Sequence, residues 1–157
     1  MICSTHNMVT LTVLALGLLA APATTQSSVP IHGTFATTFV QVPTSNPMVV
    51  TLLISCVGQA AHLGNSTASL VHTVDFSTAV QSGPSTYTAA NGDQLFATYS
   101  GIAGAPGPNG VLQYAGVQTF TGGTGRFSGV TGTSLVQGTA NVFTGVGQFT
   151  FSGIISK

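Results

Sequence analysis

A chain of 157 residues whose only basic side chains are Arg126 and Lys157 cannot clamp nucleic acid, because phosphate binding needs clustered Lys and Arg. Charged residues make up 3 % of the chain and the net charge is zero, where an ordinary soluble protein carries roughly 25 % charged residues. Disorder is excluded too, since disordered segments pair high charge with low hydrophobicity and 43 % of these residues are apolar; the length fits one domain with a real core.

The first element, NMVTLTVLALGLLAAPA from Asn7 to Ala23, reads as the apolar region of a secretory leader, with Ala21-Pro22-Ala23 as a cleavage site. The alternative is an amino-terminal membrane anchor, favoured by the absence of Lys or Arg in the preceding MICSTH. Its apolar core, Val9 to Ala21, is shorter than the roughly 20 residues a spanning helix needs. The expected organisation is therefore a signal helix over 1–23, a polar linker over 24–29 and a β-barrel domain over 30–157, secreted to the periplasm or the exterior with no stable membrane span after cleavage. Cleavage removes Cys3 and leaves Cys56, which then has no internal disulfide partner and reads as a buried small hydrophobe or a free thiol.

Strand patterns follow. Ile31, Phe35 and Phe39 alternate with Thr and Ala, and Ala68, Leu70, His72, Val74 and Phe76 alternate with Thr67, Ser69, Thr73 and Asp75. TLLISCV, 51–57, is apolar on both faces. Further strands are expected over 85–90, 93–101, 111–121, 133–142 and 146–155, which makes eight. Asn91-Gly92 predicts a tight two-residue hairpin, APGPNG over 105–110 a loop, and Thr144-Gly145 the last turn. Outside the leader no helical period survives, so the class is all-β, an eight-stranded antiparallel barrel with room inside for side chains and one small ligand.

GGTGRFSGVTG, 122–132, is the densest glycine cluster. A phosphate cradle would need a Lys followed by Ser or Thr, or a βαβ context, and neither is present. Gly122, Gly123, Gly125 and Gly132 instead fit a structural turn between strands, with Phe127 plugging the barrel end and Arg126 snorkelling or capping carbonyls beside it.

The same stretch resembles the glycine-rich GGTG-x-F segment of plant dirigent proteins and its relative in allene oxide cyclases, families that share an eight-stranded antiparallel barrel; Val130 is closer to the cyclase version. With His62-Leu63-Gly64 and NGDQLFATYSG, 91–101, most of the chain also looks like small uncharacterised bacterial secreted proteins of that type. The resemblance implies a barrel fold, homo-oligomers as in the plant families, and a cyclase-like or stereochemistry-guiding activity by analogy alone. The buried glutamate that allene oxide cyclases use has no counterpart here, because the chain contains no Glu.

Chemistry-bearing candidates are few. His72 shares an apolar face with Leu70 and Val74, where a hydrogen-bonded core histidine and a ligand contact are the two readings. Tyr87, Tyr99 and Tyr114 can present hydroxyls to an otherwise apolar interior. The ligand-facing set is His72, Tyr99, Tyr114, Phe35 and Phe151. His32 and His62 show no metal-ligand spacing with His72, so neither metal nor cofactor is expected. Of the two carboxylates, Asp93 reads first as a hairpin residue, and Asp75 matches no catalytic position. Asn65-Ser66-Thr67 is a glycosylation sequon in a eukaryotic host.

Three functions compete on this reading. The first is a secreted barrel that binds a small apolar molecule in its interior; the second is a dirigent-like or cyclase-like guide; the third is a surface-associating structural protein. The two-sided apolarity of 49–57 favours the third and also a homo-oligomer.

Overall fold

The structure, a computed structural model, describes residues 27–157, so the expected signal helix over 1–23 lies outside the described residues. Strand β1 (Ser28–Pro43) starts two residues inside the expected linker. It is followed by β2 (Val49–Ala60), β3 (Gly64–Asp75), β4 (Val80–Thr88), β5 (Gln94–Ala103), β6 (Val111–Gly123), β7 (Thr131–Asn141) and β8 (Val146–Ser156). Each strand pairs antiparallel with its sequence neighbours, and β8 returns to β1 to close an eight-stranded barrel.

The period-2 pattern places side chains alternately inside and outside. On β1, Ile31, Phe35 and Thr37 are buried while His32, Thr34, Ala36 and Thr38 face out. Around Phe35 the interior is solid: its ring stacks on Phe149 at 5.3 Å and meets Tyr87 edge-on at 5.5 Å. Phe120, Phe151, Leu95, Ile31 and Ile155 fill the neighbouring layers, each large apolar side chain contributing about 1.5–3 kcal/mol by leaving water. Leu63, Ala89, Phe127 and Val130, from the three connections at that end, form its stopper.

The glycine-rich stretch is part of this stopper. After β6 the chain makes one 3₁₀ turn, Gly125–Phe127, that drops the Phe127 ring into the barrel end. Gly125 sits at φ +52°, and a Cβ there would collide with the Asp93 carboxylate. Asp93 is the tie: it accepts the Arg126 amide at 3.3 Å and the Asn91 side-chain amide at 2.9 Å. It also makes the one ion pair among the described residues, 3.7 Å to Arg126 Nε. Of the two roles expected for Arg126, snorkelling or capping carbonyls, capping of backbone carbonyls is not among its side-chain contacts. Its guanidinium donates to Asn91 Oδ1 at 3.3 Å and lies over the Phe127 ring, while Lys157 reaches the Arg126 carbonyl.

Two local expectations are corrected. Asn91-Gly92 is not a two-residue turn: the β4–β5 connection spans 89–93, with Gly92 donating to the Ala89 carbonyl and only Gly92 at positive φ, as in a type I turn closed by a left-handed glycine. β4 begins at Val80, because Pro84 is accommodated where the β3–β4 ladder is interrupted between Leu70–Ser85 and Thr73–Ser82, with the register unchanged, and no ladder donor is needed. β3 ends at Asp75, which accepts the Ser77 amide at 2.8 Å, so Phe76 lies just past the strand and its half-exposed ring carries the face of Leu70, His72 and Val74 on to the cavity rim.

If the stretch is a backbone-driven turn, Gly125→Ala lowers unfolding stability by about 1–3 kcal/mol through strain at a left-handed position, whereas Arg126→Ala leaves the urea midpoint nearly unchanged because its ion pair is solvent-exposed. A larger loss for Arg126→Ala would show that the side chain, not the glycine, holds the turn.

Candidate functional site

Above the aromatic layer the barrel is hollow. A cavity of about 560 Å³ falls within the ordinary range for small-molecule sites, roughly 300–1,000 Å³. It opens at the end opposite the stopper, where the exposed rings of Phe76 and Phe143 stand with Val50, Gln41 and Pro106 at the rim. Its walls are aliphatic and aromatic, including Phe39, Leu52, Ile54, Leu70, Val74, Val136 and Phe149. No Lys, Arg, Asp or Glu is among the described residues that line it.

Three of the five sequence-selected ligand residues meet there. His72, Tyr99 and Tyr114 line the cavity, and His72 stacks on Tyr99 with 5.1 Å between ring centres and 10° between planes. Phe35 and Phe151 do not reach it. They belong to the solid half beneath, because Phe35 sits one inward position below the cavity-lining Thr37 and is stacked under Phe149, as is Phe151.

His72 is held by both ring nitrogens. Gln81 donates its amide N–H to Nδ1 at 3.0 Å, so Nε2 carries the proton and faces the Ser85 hydroxyl at 3.2 Å. Burial lowers its pKa from 6.5 to about 4, so the ring is neutral at physiological pH. With no carboxylate beside it, His72 lacks the partner that a general base of the triad type requires. Burial raises the Tyr99 phenol to about 12 and moves Tyr114 and Tyr87 up as well. Cys56 is free and buried, with its thiol pushed up to about 12, which makes it an inert small hydrophobe. Among the described residues no group of three or more His, Cys, Asp or Glu is placed to hold a metal ion.

Room for the tyrosines comes from glycines. Gly101 and Gly116 are cross-strand partners behind Tyr99; a Cβ on Gly116 would lie 2.8 Å from that ring and against the Ser100 carbonyl. Filling the cavity from Gly116 would therefore disrupt the sheet before it blocked a ligand.

Two amides were not anticipated. Gln118, 2 % exposed, accepts the Tyr87 hydroxyl at 2.6 Å, and Gln81 fixes His72. The available signal was the inward phase of β6, Leu112, Tyr114, Gly116, Gln118 and Phe120, in which one amide interrupts an apolar or glycine series.

A closed antiparallel barrel, solid at one end and hollow at the other, is the class that this geometry defines. No family model and no curated protein matches the sequence. Among solved structures the chain is similar to a pterocarpan synthase dirigent protein, with a TM-score of 0.63 and 13 % identity over 93 % of this chain and 96 % of that one. The fold is accordingly a dirigent-like eight-stranded barrel.

The neutral buried imidazole has a measurable consequence. Its folded pKa lies below its ordinary value, so the unfolded chain binds the proton first and stability falls as pH drops from about 6.5 to about 4. The loss amounts to roughly 3 kcal/mol. Hydrogen bonds from Ser77 to Asp75 and from Asn91 to Asp93 lower both carboxylates, and their contribution is common to the wild type and His72→Gln. Urea unfolding at stepped pH should show the decline in the wild type and a flatter profile in His72→Gln; a flat wild-type profile would contradict the buried, neutral assignment.

Proposed function

We propose that this protein is a ligand-binding barrel that takes one small, largely apolar molecule into its open half. The observation that carries the reading is the 560 Å³ cavity, apolar along its walls and furnished with a few buried polar groups. A packed core would have closed this space, since interiors are filled to the density of organic crystals.

The likeness to a pterocarpan synthase dirigent protein favours a second reading, in which the barrel holds a reactive molecule in one conformation and so directs its chemistry. The walls lack an acid–base pair, so in that role the protein contributes shape and orientation while the bound molecule supplies the reactivity.

Two further expectations belong to the same proposal. The apolar segment before the barrel makes it an exported protein. Val40, Leu53 and Val71, aligned across β1, β2 and β3 and exposed on the outer wall, supply a face for a homo-oligomer. Sedimentation at high concentration should then show a species larger than a monomer that Leu53→Lys dissociates; a strictly monomeric wild type would remove the oligomer.

Leu52 faces the cavity beside its register partner His72. The neutral fluorophore N-phenyl-1-naphthylamine should bind the wild type saturably at one per chain. Leu52→Trp should weaken that uptake at least tenfold with an unchanged circular dichroism spectrum. No saturable uptake, or uptake indifferent to Leu52→Trp, would sink the interior site.

A further inference from the structure

Tyr99 and Gln118 are register partners on β5 and β6, so both side chains enter the barrel from one patch of wall. Both line the cavity and are almost fully buried, at 4 % and 2 % exposure. The Tyr87 hydroxyl donates to Gln118 Oε1, which fixes the amide and turns its Nε2 donor away from Tyr87. Among the described residues neither that Nε2 nor the Tyr99 hydroxyl has a hydrogen-bond partner. Buried donors left unpaired are costly and uncommon, and two on one wall of one cavity form a local demand for an acceptor. A third unpaired group, Ser134 Oγ, is buried on β7 beside Gln118 but does not line the cavity.

Charge narrows the class further. The described lining contains no ionised side chain, and both nitrogens of His72 are engaged by Gln81 and Ser85. A carboxylate, phosphate or ammonium group carried to this depth would be desolvated without a counter-ion.

We propose that the ligand is a neutral, mostly apolar molecule bearing an accepting oxygen, such as a ketone, ester or ether, which the Tyr99 hydroxyl and Gln118 Nε2 hold inside the barrel. This rests on the ligand-binding reading above and specifies its chemistry. The remaining surface of such a molecule contacts Leu52, Ile54, Leu70 and Val136, which provide area without further polar demands.

The test uses three molecules of nearly one shape, 9-fluorenone, fluorene and fluorene-9-carboxylate, each competing with N-phenyl-1-naphthylamine for the intact protein. After correction for water–octanol partition, 9-fluorenone should outcompete fluorene by roughly tenfold, the scale of one satisfied buried hydrogen bond, and the carboxylate should be the weakest at neutral pH. Tyr99→Phe should shrink the ketone preference while leaving fluorene affinity within about twofold, on the same hydrogen-bond scale. The double variant Tyr87→Phe/Gln118→Leu removes donor and acceptor of their hydrogen bond together, so neither partner is left newly unpaired, and it should do the same. Fluorene binding as well as 9-fluorenone, or a preference that survives both variants, would overturn the acceptor assignment while leaving the binding barrel intact. Failure of the fluorophore itself to bind would instead overturn the binding reading.

Discussion

Pairing of β8 with β1 is the constraint on which the rest depends. From Ser28–Ser156 to Thr38–Val146 the two terminal strands run in continuous register, which removes both sheet edges and fixes which residues of every strand face inward. An eight-stranded barrel has an interior just wide enough for side chains or one small ligand, so the outcome at each level along its axis depends on side-chain volume. At the stopper end Phe35, Phe120, Phe151 and Tyr87 fill it. Toward the other end the inward series turns to Leu52, Val74, Ala103 and Ala140, and space is left. The cavity is the part of the interior that the inward side chains are too small to fill.

Scarcity of charge shapes the chemistry of that space. The one ion pair among the described residues ties the turn at Asp93 to Arg126 at the stopper end, far along the barrel from the mouth. Inside, polarity is carried by amides, hydroxyls and a neutral imidazole, groups that orient a molecule without ionising it. The rim bears exposed Phe76 and Phe143, so the apolar character of the cavity continues to the surface. Shape and hydrogen bonding are what such a site offers, and both roles proposed for the protein draw on them.

The strands were legible from alternation in β1 and β3, from the two-faced apolar run 51–57 in β2 and from the turn signals between the others, and the dirigent-like fold followed from the resemblance of the glycine-rich stretch. The strand ends were less legible. Asn-Gly fits either the centre of a two-residue turn or the exit of a longer one, and the sequence of 89–93 does not distinguish them. Site residues were read by face and not by depth: period 2 says that Phe35, Tyr99 and Phe151 point inward, but their height in the barrel is set by cross-strand register. That register puts Tyr99 on the cavity wall and the two phenylalanines below it. Gln118 escaped notice for a related reason, since a single amide becomes informative only when its partner Tyr87, on a strand not adjacent to its own, is known.

The most direct test of the hollow-barrel account is native mass spectrometry of the protein purified gently from its own source and after exposure to an extract of that environment. The account predicts one neutral small molecule bound per chain, released on unfolding and missing from the Leu52→Trp variant. Protein that stays bare across every extract, with its open half collapsed or closed in a crystal structure, would contradict it and leave the barrel a packed scaffold.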